Sequence, residues 1–203
     1  MKKTADRQYG RCRQKRSTFT SNEFFAGITS RLFGKILLPA LFALPFVLTA
    51  APRLYNAGFE KPGQGWKFSP EYSIAEHAGI DDSRALYVKR SEAAKNHGWA
   101  WQYVAIQGGK KYRISAQVKA EILRRGKYKV GAGFTLALRS GDGKIIKMLY
   151  PAGCIESTKG QWKTIEYPFT APDDAANCEL RVGLYSGFLG EAWFDNITVE
   201  EVE

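Results

Sequence analysis

Histidine and cysteine are scarce in this chain, with two and three copies among 203 residues. His77 and His97 are too few and too loosely placed to supply the ligand set of a zinc ion. Neither a Gly-x-Ser-x-Gly element nor the glycine spacing of a phosphate loop occurs, which excludes the nucleophile-elbow hydrolases and the phosphate-loop nucleotide enzymes. Long helical periodicity, internal repeats, long linkers and low-complexity stretches are missing as well. What remains is a series of short β-rich runs bounded by Gly, Pro, Asn and Asp.

One long apolar run, residues 36–51, stands near the front, preceded by Arg31 and Lys35 and followed by small residues. It reads as the core of a secretory signal cleaved near Ala50 or Ala51. A membrane anchor is the competing reading, but the run is shorter than the roughly 20 residues a bilayer demands, and Pro39 and Pro45 interrupt it. The polar lead before it is long: either the true start lies further downstream, or the lead is an extended cytoplasmic segment. Lys15-Arg16-Ser17-Thr18-Phe19 faintly resembles a twin-arginine signal. Residues 1–50 are therefore taken as a leader and residues 51–203 as one domain, secreted or held in the periplasm or cell envelope, touching membrane only through the leader.

The net charge of +10 belongs mostly to that leader. Its removal leaves 21 basic against 18 acidic residues, so a nucleic-acid partner loses its main support. Arg124-Arg125-Gly126-Lys127 is the remaining basic cluster, and its plain reading is a solvated loop tip. Cys12 leaves with the leader. Cys154 and Cys178 are then an even pair, free to cross-link in an oxidising compartment, the alternative being two separate buried thiols.

The period of the apolar residues is two. Tyr112, Ile114, Ala116 and Val118 alternate with Arg113, Ser115, Gln117 and Lys119, as a strand with one buried face requires. Val130 to Leu138 and Leu180 to Leu184 repeat the pattern. Gly108-Gly109 separates two runs at hairpin distance, and Ser140-Gly141-Asp142-Gly143 separates the next two. A short helical turn over Ser91–Lys95 ends at Asn96-His97-Gly98. The fold class is all-β, a sandwich of two antiparallel sheets.

Four stretches carry a resemblance: Asn56-Ala57-Gly58-Phe59-Glu60 with Gly65-Trp66, the run from Gln102 to Lys119, Gly160-Gln161-Trp162-Lys163 leading to Phe169-Thr170-Ala171-Pro172, and Ala192-Trp193-Phe194-Asp195-Asn196-Ile197-Thr198-Val199. Together they resemble carbohydrate-binding modules with a galactose-binding-like jelly roll. The resemblance implies a jelly-roll sandwich whose two ends meet and share a structural calcium ion held by Glu60, Asp195, the carbonyl of Gly58 and one carbonyl from residues 81–84. It also implies that Trp66, Trp162 and Trp193 are core or strand-end aromatics.

Trp99, Trp101 and Tyr103 share one parity, while Ala100, Gln102, Val104 and Ile106 share the inward one. Outward aromatics stack on the apolar faces of sugar rings. The family arrangement places Arg113, Gln117, Arg181 and Tyr185 around that strip as polar partners. The expected function is non-catalytic binding of a polysaccharide or glycoconjugate in an aromatic groove. Two rivals stay open: a small glycan hydrolase or lyase of the same class, which needs acids beside Trp101, and a cell-envelope adhesion protein with a protein partner. Asn196-Ile197-Thr198 is a glycosylation sequon inside an expected strand.

Overall fold

The structure, a computed structural model, describes residues 52–92 and 98–203. The leader and most of the helical turn expected after Ser91 lie outside these residues. Ten strands run in chain order: β1 (Lys67–Phe68), β2 (Tyr72–Ala75), β3 (Ala85–Arg90), β4 (Ala100–Ala105), β5 (Lys111–Arg124), β6 (Ala132–Ser140), β7 (Ile145–Leu149), β8 (Lys163–Thr170), β9 (Ala175–Leu184) and β10 (Leu189–Val202). They form two five-stranded sheets, ordered β1-β4-β9-β6-β7 and β2-β3-β10-β5-β8. Every pairing is antiparallel.

Alternation explains why the sheets stick. Ile114, Ala116 and Val118 from β5 meet Phe134, Leu136 and Leu138 from β6, Leu180, Val182 and Leu184 from β9, and Phe194 from β10, all in one buried cluster. Burying such side chains stabilises a fold by about 1.5–3 kcal/mol each, which is why a period-two pattern commits a strand to one face. Trp66 joins this core as expected, at 5% exposure, and packs 5.2 Å from Phe59.

Ser140–Gly143 makes a true hairpin: Ser140 N–H donates to the Lys144 carbonyl at 3.0 Å and Gly143 N–H to the Ser140 carbonyl at 2.9 Å. Gly108-Gly109 does not. The strands it joins, β4 and β5, belong to different sheets, so this turn is a crossover. The close approach of the Asp173 turn explains Gly108, where an added Cβ would fall 1.9 Å from the Asp173 carbonyl oxygen.

The proposed bridge between Cys154 and Cys178 is ruled out, and both are free thiols. Cys178 lies opposite Leu138, and Cys154 lies opposite Ala132 at the far end of the same strand. Six residues of strand separate them by about 20 Å, whereas a disulfide tolerates a Cα separation of roughly 7 Å at most. Burial pushes the Cys178 thiol up to about 12. In denaturant without reductant both residues are expected to alkylate fully, while in the native state Cys178 stays unlabelled. Peptide mapping that finds the two peptides linked would contradict this register.

Candidate functional site

The outer face of the β1-β4-β9-β6-β7 sheet gathers the expected strip. Register sets Lys67, Trp101, Arg181 and Thr135 in one transverse row, and Tyr103, Glu179 and Ala137 in the next. Trp101 and Tyr103 point outward, with Tyr103 half exposed, while Ala100, Gln102 and Val104 point into the core. Thr135 and Ala137 face away from the core cluster yet are buried, covered by the side chains around them. The Thr135 hydroxyl is buried without a hydrogen-bond partner.

A charged knot braces the centre. Glu179, 6% exposed, accepts hydrogen bonds from Arg139 Nε at 3.0 Å and Nη2 at 2.5 Å, from Arg181 Nε at 2.6 Å and from the Tyr103 hydroxyl at 3.1 Å. Burial alone would raise its carboxyl, but the hydrogen bonds and charges of Arg181 and Arg139 outweigh burial and hold it below the ordinary value of 4.5. It stays ionised near neutrality. Arg139 also lies 5.9 Å from the centre of the Tyr103 ring, within cation–π range.

At one end of the face four rings converge. Tyr185 stands 5.8 Å from Trp99, 5.4 Å from Tyr128 and 6.1 Å from Tyr150, the last two nearly edge-on. Tyr128, Tyr150 and Tyr185, with Lys129 and Val130, line a recess of about 460 Å³. Burial, then the neighbouring Tyr150 and Tyr128, push the Tyr185 phenol up, so its hydroxyl keeps its proton as a donor.

Five of the seven residues expected in the groove are therefore together: Trp99, Trp101, Tyr103, Arg181 and Tyr185. Arg113 and Gln117 are not. Both sit on β5 in the other sheet, where Arg113 pairs with Glu200 at 3.2 Å and Gln117 donates to Thr164 at 2.9 Å. Parity told which way they point, but β9 and β1, and not β5, flank β4. Arg139, Glu179, Thr135, Tyr128 and Tyr150 take part unforeseen. Glu179 and Arg181 shared the outward parity of β9, which was the available signal.

Trp162 stands at the start of β8, a strand-end aromatic as expected, whereas Trp193 lies within β10 and outside the core cluster. They are half-buried on the outer face of the second sheet, where the Lys119 ammonium lies 4.9 Å and 5.0 Å from their rings, and Tyr87 packs 5.2 Å from Trp193. They clamp a lysine on that face and take no place in the core cluster.

The two ends of the domain meet through one loop. Asp195, 1% exposed, accepts from Ile80 N–H at 2.9 Å, Ser83 Oγ at 3.1 Å and Asn196 N–H at 2.7 Å. Glu60 accepts from Arg84 N–H at 3.1 Å, and its carbonyl takes Arg84 Nη1 at 2.8 Å. Residues 80–84 thus grip both acids without a direct contact between them. As a cation site the fit is uneven: Gly58 lies beside the carboxamide oxygen of Asn196 and the Oδ1 of Asp195, while Glu60 is drawn toward Arg84. Among the described residues no three His, Cys, Asp or Glu side chains converge as a metal set. A cation here would draw on backbone oxygens.

A jelly-roll sandwich that shows rings, hydroxyls and guanidiniums on one outer sheet face has the build of a sugar-binding module. The chain belongs to the family described as carbohydrate binding domain, which matches residues 51–187. No curated protein sequence matches it. Among solved structures it is similar to the N-terminal modules of Clostridium thermocellum endo-1,4-beta-D-xylanase 10B complexed with xylohexaose, at 20% identity and a TM-score of 0.52, over 72% of this chain and 28% of that one. It is also similar to a CBM4 module, at 18% identity and a TM-score of 0.51, over 74% of this chain and all of that one. A xylan-binding domain from Paenibacillus barcinonensis gives 15% identity and a TM-score of 0.52, over 72% and 92% of the two chains. These likenesses establish the fold.

Proposed function

We propose that the domain is a secreted, non-catalytic polysaccharide-binding protein that holds its ligand along the outer face of β4, β9 and β6. The observation that carries this is the outward row Trp99, Trp101 and Tyr103 beside a centre braced by Glu179. Such a strip spans roughly 14 Å at about 3.4 Å per residue, enough for a short stretch of sugar chain. Rings cover apolar ring faces, and Arg181 and the tyrosine hydroxyls serve the sugar hydroxyls.

A hydrolytic role finds no support on this face. The five strands of the sheet carry one carboxylate, Glu179, and two guanidiniums already neutralise it. Acid–base cleavage of a glycoside needs a second carboxyl at controlled distance and one with a raised pKa. A screen of the protein against a broad glycan array is expected to give retention by polysaccharides and no product release. Silence across the array would overturn binding.

Calcium at the meeting of the two ends is part of the same proposal. Its support is Asp195: a buried carboxylate that has no ion-pair partner among the described residues, beside Gly58 and the Asn196 side-chain oxygen. Calcium would supply the missing positive charge there. Chelation is then expected to lower the melting temperature by about 5–10 °C, the effect of losing an ion present at ~100 times its dissociation constant. An unchanged melting curve would leave the loop at 80–84 as the whole clasp.

A further inference from the structure

We infer that the polysaccharide this face takes is an acidic one, bearing carboxylates such as those of uronic acid residues; the inference rests on the binding reading above. The five strands of this sheet carry four basic residues, Lys67, Arg139, Lys147 and Arg181, against the single acid Glu179. The strands of the other sheet carry seven basic and six acidic residues, close to balance. The imbalance therefore belongs to the aromatic side of the molecule.

Placement makes the excess useful. Lys67 is exposed and shares the outward row of Trp101, with Arg181 on the other flank of that ring. Arg181 bonds Glu179 through Nε alone, which leaves its two Nη groups for a ligand. Glu179 can neutralise only one of the two guanidiniums it holds. At the far end, the loop between β5 and β6 begins Arg125-Gly126-Lys127-Tyr128-Lys129, and its Tyr128 and Lys129 line the aromatic recess. Arg125 pairs with Glu156. Lys147 is the exception, facing the open edge of the sandwich beside Leu149 and Tyr167.

On the opposite outer face Lys89 pairs with Glu191 at 2.7 Å, Lys110 with Glu201 at 2.9 Å and Arg113 with Glu200 at 3.2 Å, while Lys119 lies between the rings of Trp162 and Trp193. On the aromatic side, Lys67 and Lys129 have no such carboxylate among the described residues, and the ring-to-cation alternation fits a chain that offers apolar sugar faces and carboxylates in turn. Clefts lined by one sign of charge also concentrate ligands of the other.

The test compares polygalacturonate with its fully methyl-esterified form, which keeps the backbone and caps the charge, and with neutral xylan, by affinity electrophoresis of the whole chain. Its basic leader attracts a polyanion by itself and is common to every variant, so the face is read from the difference between the unaltered chain and its variant. Polygalacturonate is expected to bind at least about tenfold more tightly than the esterified polymer, and to lose about tenfold between ~20 mM and ~0.5 M NaCl as the charges are screened. Lys67→Glu with Lys129→Glu should bring that preference down to what the leader alone contributes while circular dichroism and melting stay unchanged; a preference unchanged in this variant assigns the charge effect to the leader and overturns the inference. Equal binding of the charged and capped polymers overturns the inference and leaves the binding reading standing. Retention of dextran sulfate undiminished by Trp101→Ala marks general polyanion adhesion and also overturns it. Failure to bind any of the polymers removes the reading underneath.

Discussion

Replacing Trp101 by alanine is expected to weaken polysaccharide binding about thirtyfold, because a sugar covering on the order of 80 Å² of ring at ~25 cal/mol/Å² gains about 2 kcal/mol. Stability should barely move. Trp101 is half-buried on the outer face, and its inward neighbours Ala100 and Gln102 belong to the opposite parity, so truncation opens no core cavity. Trp193→Ala gives the reverse pattern. That ring holds Lys119 and Tyr87 on the other sheet, so its loss costs stability and leaves sugar binding intact. Titration calorimetry with the best polysaccharide from the array separates the two outcomes. Unchanged affinity in Trp101→Ala, with a folded variant, would move the site away from β4.

The largest effect on stability is expected from Asp195→Ala, at about 3–4 kcal/mol, because the loss strands buried donors that had a charged acceptor. Ile80 N–H and Ser83 Oγ both turn to this carboxylate, and residues 80–84 also hold Glu60. One substitution therefore loosens both ends of the domain. At roughly 2–4 °C per kcal/mol for a domain of this size, the melting temperature should fall by about 10 °C. Asp195→Asn keeps the shape but sets an amide N–H₂ against one of the donors, so an intermediate fall is expected. Repeating the melts in chelator separates the clasp from calcium: the loss caused by Asp195→Ala should exceed that caused by chelation alone.

Much of the fold was legible because burial has a period. The alternation in β5, β6 and β9 reports which side of a strand meets the core, and each inward residue named from it is buried. Which sheet a strand joins is a different kind of fact, decided by contacts far apart in the chain. Arg113 and Arg181 have the same outward parity, yet one faces Glu200 on the second sheet and the other faces Glu179 beside Trp101. Gly108-Gly109 resembled a hairpin turn for the same reason, since turn chemistry is local and sheet order is not. Two cysteines after the leader suggested a pair, but nothing in their spacing reveals that β6 holds them at opposite ends. Half of the glutamate's brace was hidden: Arg181 shares its outward parity two residues along β9, but Arg139 comes from β6, 40 residues away in the sequence.

The last of the described strands is the middle strand of its sheet. β10 runs fourteen residues between β3 and β5, pairing with β5 along most of its length and with β3 over Gly190–Phe194. Until residues 189–202 leave the ribosome, the sheet β2-β3-β10-β5-β8 has two halves and no centre. Local turns can form earlier, but the pairings that join those halves span the greatest sequence distances in the domain and close last and slowly. Folding of this sheet therefore waits for β10. A nascent domain of this topology stays open until β10 has been made, and the arrival of that strand sets the clock.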